Sequence, residues 1–162
     1  MIDFIVDENI ATAKTLHSDF YKKQEYLEAA KEKIFPACWH FVGHKAMVPL
    51  PGDCYPFCLL ENYLDEPLLL TNDESHIYCL SNACTHRGNL VVNEACNIAK
   101  LKCRYHGRLF NLGGKFQFMP EFKEVENFPT RRNDLLKHRS AYSPRRRSSP
   151  RPWRRAKYFP SL

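Results

Sequence analysis

No apolar run in the sequence approaches the 18 residues that a membrane-crossing helix needs. The N-terminal stretch MIDFIVDENIATAK carries acids where a secretory leader carries bases, and it lacks an apolar centre. Both absences lead to the expectation of a soluble, intracellular protein of the cytoplasm, with no membrane partner. No internal repeat is present, which sets solenoids and arrays aside. Also missing is the dense, even-numbered cysteine spacing of a secreted scaffold, so the seven cysteines are expected to be reduced thiols or metal ligands. Five of them, Cys38, Cys54, Cys58, Cys79 and Cys96, are expected to serve as small buried hydrophobes. What is present, 162 residues with 44% apolar and 13% aromatic content, suffices for one globular core with extensions.

Acidic residues nearly vanish toward the C-terminal end. Residues 131 to 162 hold eleven Lys/Arg against Asp134 alone, a balance of +10, while residues 1 to 130 hold 13 bases and 17 acids, a balance of −4. The overall charge of +6 therefore describes the end of the chain and not its body. After Pro129 there is no Val or Ile, and Arg, Ser and Pro dominate. Such a segment cannot bury enough apolar surface to offset the entropy of ordering it, so residues 131–162 are expected to be a disordered basic tail.

Between these ends two patterns follow one another. From Ser18 to Phe35 the sequence reads as a helix, with Ser18 as its cap, Leu27, Ala30 and Ile34 at helical spacing, and Pro36 ending it. Short runs rich in aromatic and branched residues come next: Trp39–Val42, Tyr55–Leu60, Leu68–Thr71, Ile77–Leu80, Ile98–Lys102, Arg108–Phe110 and Phe116–Phe118. Their turn-rich punctuation, including Asn72-Asp73-Glu74-Ser75 and Gly113-Gly114, predicts a mainly β region.

Two segments in this region carry chemistry, Cys84-Thr85-His86-Arg87-Gly88 and Cys103-Arg104-Tyr105-His106-Gly107. Each follows a predicted strand and supplies one thiolate and one imidazole. Sixteen residues separate His86 from Cys103, enough for a strand pair that returns the second loop beside the first. Gly88 and Gly107 stand where a tight loop needs conformations that a side chain obstructs. A set of two sulfurs and two nitrogens also suits tetrahedral zinc. Zinc modules, however, present cysteines as one close pair and histidines as another, whereas each loop here mixes the two types. Mixed pairs suit a two-iron cluster in which the cysteines hold one iron and the histidines the other. Cys84, His86, Cys103 and His106 are therefore the candidate ligands of one [2Fe–2S] cluster, and no catalytic residue is evident.

The CTHRG and CRYHG motifs together resemble the Rieske domain of the alpha (large) subunit of aromatic-ring-hydroxylating oxygenases, the Rieske non-haem iron oxygenases. The resemblance runs from about Ala11 to Pro129 and takes in the leading helix, Trp39-His40-Phe41-Val42-Gly43 and Phe110-Asn111-Leu112-Gly113-Gly114. It implies a Rieske-type β-sandwich or barrel with two cluster-binding loops at residues 36–130, preceded by a helical extension at 1–35 and followed by the tail at 131–162. It further implies an oxidoreductase component that relays electrons from a reductase or ferredoxin toward a mononuclear iron site, and an oligomer, a trimer being common in the family. Rieske proteins of the cytochrome bc type carry one more cysteine in each loop; Asn89 and Tyr105 stand at those positions. The family's paired-histidine motif with a downstream carboxylate does not occur among the remaining histidines, His17, His40, His44, His76 and His138. The expectation is thus a fragment lacking the oxygenase domain and without oxygenase activity alone, its tail reflecting a frame change or altered exon junction. Two further readings stand beside it: a self-sufficient Rieske ferredoxin, and a zinc-containing nucleic-acid-binding protein using the Tyr142–Arg151 stretch.

Overall fold

A computed structural model of the chain describes residues 7–122 and 124–140. They fall into two compact units, one within residues 7–41 and one within 42–140.

In the first unit the expected single helix is two, α1 (Asp19–Lys22) and α2 (Gln24–Lys33), because Lys23 leaves helical geometry with ψ of 130°. The Lys23 ammonium meets the Asp19 carboxylate at 2.9 Å. The break lets the Phe20 and Tyr26 rings approach to 5.9 Å, which residues six apart on one continuous helix do not do. Tyr26 is the buried residue of α2, while Leu27 and Ile34, expected on the inner stripe, are exposed. Ser18 makes no side-chain cap. Pro36 follows the helix in a single 3₁₀ turn, Phe35–Ala37. Residues Trp39–Val42, expected to be a strand, form none: His40 Nε2 turns back to the Phe35 carbonyl at 2.7 Å.

The second unit is built from antiparallel strands, β1 (Asp53–Leu59), β2 (Glu66–Asn72), β3 (Ile77–Ser81), β4 (Cys96–Asn97), β5 (Leu101–Lys102), β6 (Leu109–Phe110), β7 (Phe116–Phe118) and β8 (Lys137–His138). One sheet has the order β4-β1-β2-β3-β8 and the other β5-β6-β7. The Ile98–Lys102 run, read as one strand, is instead the crossing between sheets: Cys96 pairs with Cys54, and Leu101 with Phe110. The β2–β3 turn forms as expected, with Asp73 Oδ1 accepting from the Ser75 and His76 amides at 3.1 and 2.8 Å.

Alternation along β2 serves two clusters. Leu69 faces a core shared by both sheets, with Cys54, Leu80, Leu101 and Phe110. Leu68 and Leu70 face the other side, with Val48 and Cys79. The sheets are tied by Thr71, whose hydroxyl donates to the Leu112 carbonyl at 2.6 Å. Among the five cysteines expected to be buried, Cys54 and Cys79 are so, and burial pushes their thiols up to about 12 and about 11. Cys96 is partly covered, and Cys38 and Cys58 are exposed, Cys58 because it faces outward on β1.

Residues 131–140 correct the expectation of disorder from 131 onward. Thr130 accepts from the Arg132 amide while Asn133 Oδ1 accepts from the Thr130 amide, a reciprocal cap on a 3₁₀ turn at Arg131–Asn133. Leu135, 2% exposed, enters the shared core, and its amide donates to the Gly114 carbonyl at 2.8 Å. The Ser81 amide donates to the Leu136 carbonyl at 2.8 Å, and β8 then pairs with β3. Averaged composition conceals one leucine pair and one capping box, and these suffice to anchor ten residues. Residues 141–162, with the Arg-rich stretch, lie outside the described residues.

Leu135→Ala should cost about 2–5 kcal/mol in a denaturant or thermal unfolding measurement, and truncation after Thr130 should lower the melting temperature at least as much; an unchanged melting temperature would remove this segment from the core. A second prediction concerns acid. Burial holds the His138 imidazole below its ordinary pKa, with Glu66 only partly opposing, and its buried Nε2 has no hydrogen-bond partner. The unfolded chain therefore binds the proton more readily. This contribution to stability is complete above about pH 6.5 and declines as pH falls from there toward the folded value. Melting temperatures of His138→Phe between pH 7 and 5 should show a shallower decline than those of the parent.

Candidate metal centre

Both ligand segments are hairpin tips, and both close in the same way. In the first, Ala83 bridges Leu90; the Cys84 amide donates to the Asn89 carbonyl and the Gly88 amide to the Cys84 carbonyl, each at 2.9 Å. In the second, Lys102 pairs with Leu109; the Cys103 amide donates to the Arg108 carbonyl at 2.9 Å and the Gly107 amide to the Cys103 carbonyl at 3.0 Å. Closing so tightly requires a left-handed residue four places after each cysteine, and Gly88 and Gly107 supply it with φ of 69° and 74°. The loops differ in where the histidine falls, two residues after the cysteine in the first and three in the second.

The four candidate ligands come together as two like pairs. Cys84 and Cys103 are both buried and interact through their sulfurs. The His86 and His106 rings meet edge to face with centroids 4.7 Å apart and are partly exposed. Among the described residues no three His, Cys, Asp or Glu side chains are gathered closely enough for a single metal ion. Burial raises the Cys84 thiol. At Cys103 burial acts in the same sense but is outweighed by the Tyr105 amide, the Cys84 thiol, the His106 amide and the Asn89 side chain, so this thiol is lowered. Burial, followed by the His106, Arg108 and Arg87 charges, keeps His86 below its ordinary value and therefore neutral, the form that can donate to a metal.

His106 carries a further sign: its Nδ1 is buried and has no hydrogen-bond partner. A lone pair left so is costly unless something coordinates it. Two sulfurs on the inside, two imidazoles at the rim and an unpartnered nitrogen turned inward fit a two-iron cluster with sulfur ligands at one iron and nitrogen ligands at the other. Of the remaining histidines, His40 Nε2 is engaged by the Phe35 carbonyl and His44 is exposed.

Several residues support the site in roles the sequence did not show. Buried Asn82 accepts from the Val92 amide at 3.0 Å and donates to the Val92 carbonyl at 2.7 Å, fastening the return of the first loop. Asn89 directs its amide at Cys103 Sγ across 3.8 Å, linking one loop to the sulfur of the other. Tyr105, 59% exposed, lays its ring against His106 with centroids 3.8 Å apart. The least expected is Arg108, only 3% exposed. Its Nη1 donates to the Thr85 hydroxyl at 2.9 Å, its Nε to Met119 Sδ at 3.2 Å, and its guanidinium lies 5.4 and 5.8 Å from the Phe116 and Phe128 ring centroids. Thr85 passes the connection on to the Asn133 carbonyl at 2.7 Å. Among the described residues no carboxylate pairs with Arg108. Burying a cation costs several kcal/mol, and two aromatic faces offset it by up to about 2 kcal/mol each when desolvated. Only the residue type and its place after Gly107 could have signalled any of this, because a sequence does not say which arginine is buried.

The geometry can be set beside known proteins. A family model described as the Rieske [2Fe-2S] domain matches residues 38–129. The large oxygenase component of a naphthalene 1,2-dioxygenase system of Pseudomonas aeruginosa is 32% identical over 123 residues, 75% of this chain and 26% of that protein. The alpha subunit of an N,N-dimethyl phenylurea N-demethylase from Sphingobium sp. (strain YBL2) is 30% identical over 125 residues, 75% of this chain and 27% of that protein. The chain thus spans about a quarter of the length of these curated relatives. Among solved structures, naphthalene 1,2-dioxygenase from Rhodococcus sp. bound to indole superposes with a TM-score of 0.61 at 26% identity, over 70% of this chain and 26% of that one. A quaternary ammonium Rieske monooxygenase in complex with L-carnitine shares the fold, with a TM-score of 0.64 at 23% identity over 74% of this chain and 34% of that one.

The two loop glycines separate strain from contact. A Cβ at Gly88 meets nothing within 4 Å, whereas one at Gly107 lies 3.2 Å from Pro120 Cγ. Gly88→Ala should cost about 1–2 kcal/mol through its left-handed conformation alone, and Gly107→Ala distinctly more. Unfolding free energies and iron content, measured together, check this order; equal losses would contradict it.

Proposed function

The chain belongs to the Rieske [2Fe-2S] domain family, and from that premise we propose that Cys84, His86, Cys103 and His106 hold its one cluster and that the protein passes single electrons. A reductase or ferredoxin is the donor in this reading. The acceptor is a mononuclear iron centre of a ring-hydroxylating or related oxygenase, a site absent from this chain. The observation that supports it most directly is the convergence of two identically closed loops that sort their ligands into a buried thiol pair and a rim imidazole pair. The family match takes the place of the zinc reading, and among the described residues no helix is long and apolar enough to cross a membrane.

When bound, a cluster with two neutral imidazole ligands supplies one-electron acceptance at roughly −150 to +300 mV, against about −400 mV for plant-type ferredoxins. The chain's own residues set the direction of traffic. Cys84 and Cys103 keep the sulfur side in the hydrophobic core, away from water. His86 and His106 form the side nearest solvent, where an incoming protein can touch the rings. Tyr105 covers one face of His106 and widens that contact surface. Amide donors at Cys103 and the Asn89 side chain lower its thiol and so favour the thiolate, the form that metal ligation demands.

Purified protein should be red-brown, contain about two irons and two acid-labile sulfides per chain, and give a Rieske-type EPR signal once reduced. Cys84→Ser and Cys103→Ser should each abolish that signal, since a neutral hydroxyl is a poor replacement for a thiolate. With a reductase the chain should take up one electron per cluster without substrate-dependent O₂ consumption. A colourless protein with one bound zinc, or hydroxylation by the pure chain, would defeat the proposal.

A further inference from the structure

Arg108 poses a question that the ligand set does not answer. A guanidinium is permanently charged, and this one is almost wholly removed from water among Phe116, Phe128 and Met119 with no carboxylate in reach among the described residues. Among the described residues its one oxygen partner is the hydroxyl of Thr85, the residue between the proposed ligands Cys84 and His86, and that hydroxyl is itself fixed by the Asn133 carbonyl. The Arg108 carbonyl accepts from the Cys103 amide. The same residue therefore braces the second loop by its backbone and the first by its side chain. A buried cation held this firmly against both ligand loops favours negative charge on the ligand set, the Cys84 thiolate included, and therefore also the charge that arrives with an electron.

Resting on the ligand assignment above, we infer that Arg108 is the charge-compensating residue of the centre, a fixed buried cation that raises its reduction potential. Two ferric ions, two sulfides and two thiolates sum to zero in the oxidised state. One electron from a reductase-class donor takes the sum to −1, and no proton needs to follow because the compensating charge is already in place. At an effective dielectric near 20, a unit charge on the order of 10 Å from a redox group shifts that group's ratio of reduced to oxidised form by more than tenfold. Being enclosed, the charge is little screened by salt. Arg108 also acts as a positioning residue for Thr85, but that role alone does not require a charge.

The test is a redox titration of the full chain, followed by EPR at constant pH, comparing the parent with Arg108→Lys, Arg108→Gln and Arg108→Met. In Arg108→Gln the ratio of reduced to oxidised centre at a given potential should fall at least tenfold, equivalent to a midpoint lower by about 59 mV for one electron. Arg108→Lys, which keeps the charge, should fall less than threefold, and the difference between the two should persist from low to high salt. Arg108→Met, of similar length and without a lone amide to bury, supplies the same measurement if the glutamine variant does not load. A loaded Arg108→Gln or Arg108→Met centre within threefold of the parent would overturn the inference. So would an equal fall in Arg108→Lys, which would assign the effect to hydrogen-bond geometry. Failure of both neutral variants to load beside a normal Arg108→Lys would make the residue purely structural. Absence of a Rieske signal from the parent itself would instead refute the ligand assignment.

Discussion

Each ligand loop is held by two backbone hydrogen bonds, from the cysteine amide to a carbonyl five residues on and from a glycine amide back to the cysteine carbonyl. These closures curl six residues around each sulfur and bring the amides of Tyr105 and His106 to bear on Cys103. They cannot form unless the fifth residue of the loop turns left-handed, which is why glycine stands there in both. The remaining architecture serves to keep the two closures side by side. β3 delivers the first loop, the β5–β6 hairpin delivers the second, and Asn82 and Asn89 fasten one to its own return and to the sulfur of the other.

The centre is not an appendage to the core. Cys84 and Cys103 belong to the same buried cluster as Leu69, Leu80, Leu101, Phe110 and Leu135, so the sulfur side of the site and the inter-sheet packing are one structure. Under the proposed ligand assignment, occupancy and folding are therefore linked, as for any site whose geometry exists only in the native chain. The hydrophobic wall also places the charges around the site in a medium of low dielectric, where a single guanidinium such as that of Arg108 counts for more than it would in water.

Position along the chain separated the features that could be read from those that could not. The two loops were legible because cysteine, histidine and glycine at short, fixed spacing leave few physical alternatives. The β2 and β3 strands were legible as well, since Leu68–Thr71 and Ile77–Leu80 are flanked by turn residues and buried on both faces or nearly so. The Trp39–Val42 run misled because aromatic and branched residues favour a strand only where a neighbour offers a free edge. The helix break at Lys23 depended on Phe20 and Tyr26 finding each other, a contact no periodicity encodes. Residues 131–140 were misread because a window average over arginine and serine outweighed Leu135, whose contribution comes wholly from the cavity it fills.

The sequence by itself determined the candidate ligand types, their order and the glycines that permit the turns, because these are local matters of backbone conformation and donor chemistry. It determined too that the body of the chain is acidic and its end basic. Tertiary structure alone decided which groups share an environment: that thiols pair with thiols and imidazoles with imidazoles, that Leu135 closes the core, and that Arg108, among the described residues, is the cation enclosed beside the ligand loops. Burial and proximity between distant residues arise only when both sheets are packed, and the energies of charges and lone pairs change with that packing by more than any local preference can supply.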